Sequence, residues 1–290
     1  MFDASELLTI AAMSRNVFML VAYDGTEFHG WQNQPGLRTV QDLLEQSIRR
    51  VTRHQVDLIG SGRTDAGVHA SGQAANFVTT SDLPENRLRY AIGARLPQDL
   101  SIIATWEVHP DFHATRCAIS KLYRYRIHAA RRRPVQRLTQ LYTYHYWNPL
   151  DVDRMREAAR HFIGEMDFSA MTGKGTVRET MVRTVLRCDI ERHQNEIHIC
   201  VEGKGFLYNQ VRNMVGTLVD VGRGRWEPDH VADILASLDR ANAGQTAPAR
   251  GLSLQWVRYP AFLLSPPTGE CDIETGDSAY QSPSAGSDTP

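Results

Sequence analysis

Gly60-Ser61-Gly62-Arg63-Thr64-Asp65-Ala66-Gly67-Val68-His69-Ala70 is a glycine-punctuated stretch that carries one carboxylate two residues after an arginine and leads into a strand-like run, Gln73 to Thr79. Glycines at 60, 62 and 67 allow positive φ and a close approach of backbone to a ligand. Arg63 beside Asp65 would orient the carboxylate and hold it ionised, because a nearby cation lowers a carboxyl pKa. An ionised carboxylate in an open loop suits a nucleophile or a base. The same residue also suits an ordinary turn, its side chain bonding a backbone N–H close by. No Gly-Lys-Ser/Thr follows at P-loop spacing and no Gly-x-Gly-x-x-Gly is present, which leaves nucleotide cofactor binding without support.

Upstream of this loop, Asn16 to Tyr23 reads as a buried strand ending at the turn Asp24-Gly25. Leu43, Leu44, Ile48 and Val51 recur at helical spacing and predict a helix over about Thr39 to Arg53. Downstream, strands are expected at Ser101–His109 and Ala118–His128, with a short helix near Pro84–Arg95. In the second of these strands Tyr123, Tyr125 and Ile127 share one face, and Leu122, Arg124 and Arg126 the other.

The second half repeats the pattern. Asp151 suits the N-cap of a helix carrying Met155, Ala159 and Phe162. Strands follow at Met181–His193 and Glu196–Gly203, then a helix over Leu207–Val221 with Val211, Met214, Val215 and Leu218 on its buried face. Pro228 opens a further helix through Leu238, and Leu252–Tyr259 is a last strand. This is an α+β chain in two halves joined near Arg133–Asp151, in which a mixed or antiparallel sheet fits better than a doubly wound one. We divide it into an N-terminal extension (1–15), an α+β half with the Asp65 loop (16–135), a second half (136–263) and a tail (264–290).

Composition narrows the class. The 290 residues are 42% hydrophobic, enough for a sizeable core. No apolar run approaches the roughly 18 residues of a membrane span, and the start lacks the basic segment of a secretory signal, so a cytoplasmic protein is expected. Cys117, Cys188, Cys200 and Cys271 are widely spaced and read as reduced thiols, and the eleven histidines lack metal-ligand spacing. Net charge is −1, but Leu264–Pro290 holds five acids and no Lys or Arg, leaving the body with 32 basic against 28 acidic residues. That tail, rich in Pro, Ser and Gly, has little to bury and is expected to be disordered. Between Thr115 and Arg137 lie eight basic residues and no acid, interleaved with Tyr123 and Tyr125. Such a run is either a solvated face or a track for a polyanion.

Taken together and in order, these segments resemble the tRNA pseudouridine synthase A family. The resemblance rests on Tyr23-Asp24-Gly25-Thr26, Gly30-Trp31-Gln32, Gly62-Arg63-Thr64-Asp65-Ala66-Gly67-Val68-His69 and Gly72-Gln73. It continues through Asp111-Phe112-His113-Ala114, Tyr123-Arg124-Tyr125, Val211-Arg212-Asn213-Met214-Val215-Gly216 and Gly251-Leu252. It covers about Asn16 to Tyr259.

The resemblance implies a pseudouridine synthase fold, two α+β halves around a central, mainly antiparallel sheet with a cleft between them. It makes Asp65 the catalytic aspartate, Arg63 its ion-pair partner, Tyr123 the ring that packs on the target base, Arg212 a second basic residue of the pocket and Leu252 an apolar wall. It further implies uridine isomerisation at positions 38 to 40 of the tRNA anticodon arm, a homodimer with tRNA across both subunits, and no cofactor. In some relatives an arginine directly follows Phe-His-Ala, whereas here Thr115 follows Phe112-His113-Ala114, with Arg116 next.

Two other classes compete. A non-catalytic RNA-binding protein could use the same basic cleft, though a carboxylate facing phosphates serves binding poorly. A nucleoside hydrolase would need a second acid or a metal, and the sequence offers no pattern for either.

Overall fold

The computed structural model describes residues 14–173 and 179–265. The expected terminal extension and acidic tail, and the centre of the Met171–Thr180 loop, lie largely outside the described residues.

Among the described residues the chain forms one ten-stranded sheet. In chain order the elements are β1 (Arg15–Tyr23), α1 (Val40–Thr52), β2 (Ile59–Gly60), β3 (His69–Thr79), α2 (Glu85–Gly93), β4 (Leu100–Val108) and β5 (Ser120–Ala129). Then come α3 (Arg137–Tyr142), β6 (Tyr144–Tyr146), α4 (Val152–Ala159), β7 (Gly164–Asp167), β8 (Val182–His193), β9 (Glu196–Gly203), α5 (Gln210–Gly222), α6 (His230–Ser237) and β10 (Leu252–Arg258). The strand order is β4-β1-β3-β10-β5-β9-β8-β7, with β2 on β3 and β6 on β5. Pairing is antiparallel except for β10 with β3 and β5 with β6. The α+β, mainly antiparallel expectation therefore holds.

The last strand decides the architecture. β10 lies between β3 and β5, with Ser253 opposite His69 on one side and Leu254 opposite Tyr123 on the other. A segment late in the chain thus zips the strand that follows the Asp65 loop to the Tyr123 strand. The sheet runs unbroken past residue 135.

One face of the sheet carries the main core. Val17, Met19 and Val21 of β1 bury with Leu44 and Ile48 of α1 and Leu88 and Ile92 of α2. In the second half Ile197, Ile199 and Val201 of β9 bury in the same cluster with Met155, Met214 and Val215. Each such side chain contributes about 1.5–3 kcal/mol through burial. A smaller cluster on the opposite face gathers Phe18, Ala74, Phe112 and Tyr259.

The boundaries shift where local backbone chemistry intervenes. α5 begins at Gln210 rather than Leu207, because Asn209 is left-handed (φ 60°) and cannot continue a right-handed helix. It is buried on every side except at Arg212, not on one stripe. Gly216 explains this: a β-carbon there would meet the Gln245 carbonyl oxygen at 1.7 Å, so a second chain segment lies directly on the helix. α1 ends as its sequence suggests, Arg53 adopting a left-handed cap at φ 66°. Asp151 caps α4 by accepting from the amides of Asp153 and Arg154.

Candidate active site

The Gly60–Val68 loop is fixed almost carbonyl by carbonyl. Thr115 Oγ1 donates to Gly60 O (2.6 Å), Lys121 Nζ to Ser61 O (2.5 Å) and Gln73 Nε2 to Gly62 O (3.0 Å). The Trp31 amide donates to Thr64 O (3.1 Å) and the Val68 amide to Asp65 O (3.1 Å). Tyr23 and Thr64 share a hydroxyl–hydroxyl hydrogen bond of 2.8 Å. A loop with its acceptors satisfied in this way holds one shape. Thr115, where the family resemblance breaks, is thus a loop anchor.

The glycines act differently from the sequence expectation. Only Gly67 of the three has positive φ (77°). At Gly60 a β-carbon would come 2.5 Å from the Trp31 ring, so the close approach needed there is to a neighbouring side chain. At Gly62 it would come 3.0 Å from Lys121 Nζ.

Asp65 projects from this loop into a cleft of about 1030 Å³ lined on one wall by Trp31 and the loop, and on the other by Phe206–Arg212. Its ion-pair partner is Arg212, with Nη1 3.1 Å from Oδ2. Arg63, the expected partner, is exposed and makes no ion pair among the described residues, although it lines the cleft. The two-residue spacing misleads because alternate residues of the turn aim differently.

Arg212 is itself held, its Nε donating to Ala247 O (2.7 Å) and its Nη1 also to Asn209 Oδ1 (2.8 Å). The left-handed Asn209 that delays the start of α5 therefore also steadies the guanidinium. The Asp65 carboxyl is nevertheless raised above the ordinary aspartate value: burial disfavours its charge, and the hydrogen bond and charge of Arg212 offset this only in part. The sequence expectation of a carboxylate pulled down by its arginine is corrected on this point.

Tyr123 is buried in the cleft floor, its ring edge-on to Phe206 at 5.4 Å between centroids. Burial, then the nearby Tyr23 and Asp65, push its phenol well above 10, so it stays protonated. Leu252 is buried in the same wall, at the start of β10. The structure thus gathers Asp65, Arg63, Tyr123, Arg212 and Leu252 around one cleft.

Sequence reasoning passed over Phe206 and Asn209, and treated Lys121 only as one charge in a basic run. That run does not form a single track. Lys121 faces the cleft, whereas Arg124 and Arg126 line a separate hollow with Asp24 and Asp99, and Arg126 is paired with Glu196 at 2.9 Å. Alternation along β5 sends neighbouring cations to opposite faces of the sheet. The cleft lining still holds Arg63, Lys121, Arg183, Lys204 and Arg212 against a single acid, Asp65. Such a surface attracts a polyanion.

The family model described as tRNA pseudouridine synthase matches residues 19–115 and 158–260. A protein named tRNA pseudouridine synthase A from Acetivibrio thermocellus is 45% identical over 245 residues, covering 84% of this chain and 100% of the relative. One named tRNA pseudouridine synthase A 2 from Clostridium perfringens is 42% identical with the same coverage. Among solved structures, a chain of a Cbf5-Nop10-Gar1 complex superposes with a TM-score of 0.30 at 11% identity, covering 82% of this chain and 57% of that one. That likeness is too loose to argue from.

Proposed function

Since the chain belongs to the tRNA pseudouridine synthase family and is an isomerase, we propose that it converts uridine to pseudouridine in the anticodon stem-loop of tRNA, at positions 38 to 40, with Asp65 as its catalytic group. The observation that carries the assignment of Asp65 is its isolation: it is the sole carboxylate among the described residues of the cleft, oriented by Arg212 and set close to the Tyr123 ring.

The reaction breaks the N1–C1′ bond of uridine, turns the uracil within the site, and joins C5 to C1′. The C5 proton is lost and N1 gains one, so substrate and product are isomers. Breaking the glycosidic bond develops positive charge at C1′, which a carboxylate stabilises or captures. Removal of the C2′ proton is the other use of the same oxygen, and both need Asp65 ionised. Glycoside hydrolases employ a second acid because they protonate a poor leaving group and admit water. Uracil leaves as a delocalised anion that must be kept, so one carboxylate in a confined site suffices.

The target must leave its base stack to reach Asp65, at a cost of a few kcal/mol. Packing of the base on Tyr123 against the Leu252 wall offsets part of that cost. Arg63 at the exposed rim meets the RNA, and Arg212 holds Asp65 in line. Phosphate attraction by the basic lining makes binding salt-sensitive. From the family resemblance we also infer a homodimer that places one tRNA across both subunits, acting in the cytoplasm without a cofactor.

Tritium release tests the central reading. Unmodified tRNA labelled at uridine C5 should lose tritium with the wild-type protein and keep it with Asp65→Asn or Asp65→Ala variants that still bind. Equal release from those variants would remove Asp65 from the chemistry, and free uracil in place of pseudouridine would mark a hydrolase.

A further inference from the structure

Lys121 lies in the cleft and takes no part in the chemistry above. It stands on β5 two residues before Tyr123, hence on the same face of the sheet. Its Nζ donates to the Ser61 carbonyl at 2.5 Å, and the absent side chain of Gly62 leaves room directly over that nitrogen. An ammonium carries three donors, and this contact uses one.

No acid among the described residues pairs with it. Burial alone, unopposed by any nearby carboxylate, pushes the amine down to about 8. It is therefore still largely protonated at neutral pH and lacks an anion. Burying a cation without a partner is costly, and the cost is recovered only when an anion arrives. Uracil presents neutral oxygens and becomes anionic only in passing, whereas a phosphodiester is a permanent anion. A compact ammonium on a flexible stem binds phosphate as a point charge.

We propose that Lys121 is a phosphate-binding residue, its ammonium steadied by the Ser61 carbonyl so as to take the phosphodiester beside the flipped uridine and set how deeply that nucleotide enters toward Asp65. The proposal rests on the reading of the cleft as an RNA site. It adds a contact at the loop that presents Asp65, so substrate backbone and catalytic loop share one side chain.

The test is tRNA binding at several salt concentrations, using full-length protein in an Asp65→Asn background and an unmodified tRNA transcript. Lys121→Gln keeps a donor for Ser61 O and removes the charge; Lys121→Met serves as a second variant and Lys121→Arg as the charge-preserving one. Loss of the contact should weaken binding roughly tenfold and flatten the slope of log K against log salt by about 1. Lys121→Arg should restore the slope. An unchanged slope in Lys121→Gln and Lys121→Met overturns the proposal, including the case in which the same substitutions, made in the protein that retains Asp65, lower turnover while the slope stays, which would make Lys121 a loop support or a base contact. Failure of the wild type to release tritium would overturn the isomerase assignment instead, and the salt slopes would still decide for or against the phosphate contact.

Discussion

Arg212 Nη1 lies 3.1 Å from Asp65 Oδ2, a contact between residues 147 apart in the chain. It joins the first half of the protein to the second at the point where chemistry is proposed. Burial and this arginine act on Asp65 in opposite directions, and burial wins. The surroundings of Asp65 thus disfavour its charged form even with the arginine in place.

Asp65→Asn should abolish tritium release, a loss of at least about a thousandfold, the scale on which essential catalytic groups act. It should also leave the melting temperature at pH 7 equal to the wild type or higher. The sign follows from linkage: with the folded pKa above the unfolded one, the ionised side chain detracts from stability once pH exceeds both values. A marked fall in melting temperature would contradict this.

Arg212→Met removes the cation whose hydrogen bond and charge lower the Asp65 pKa. Burial raises the Asp65 carboxyl above the ordinary aspartate range, and without the arginine the acid limb of kcat/KM should move to still higher pH. The plateau should fall by roughly a hundredfold from lost orientation. A pH–rate profile reads both effects, and an acid limb that stays in place would show that Arg212 does not tune Asp65.

Tyr123→Phe retains the ring and its edge-on contact with Phe206. It should bind tRNA as the wild type does and lose less activity than Asp65→Ala. Single-turnover assays separate the two steps. Full activity would exclude a role for the hydroxyl, while Tyr123→Leu, which removes the ring, should weaken binding.

Gly60→Ala forces a methyl against the Trp31 ring and should destabilise by about 1–3 kcal/mol through overpacking. Gly93→Ala, at the end of α2 with nothing within 4 Å, should stabilise by up to about 1 kcal/mol. Urea unfolding of the two variants compares them directly. Equal effects would mean that Gly60 is not placed there for space.

Most elements were legible because their signals are local. The alternation of Tyr123, Tyr125 and Ile127 fixed β5, and Asp151 marked the start of α4 through its own side chain. The short strands β2, β6 and β7 and the helix α3 were missed, since each is too brief to show a period. β3 was expected from Gln73 but starts at His69, where pairing with Ser253 of β10 extends it. The Asp65 loop was legible as a motif, yet the ion-pair partner of its aspartate was not.

The sequence by itself determined the fold class, the family and the loop that carries Asp65. The fold class follows from periods of two and 3.6, which are properties of neighbouring residues, and the family from the resemblance that the ordered motifs carry. Tertiary structure alone decided that Arg212 rather than Arg63 faces Asp65, that burial raises that carboxyl, and that Lys121 enters the cleft while Arg124 and Arg126 turn away. It also gave Gly60 its reason, a Trp31 ring brought in from 29 residues upstream. Each depends on distances through space and on how much water is excluded, and linear spacing encodes neither.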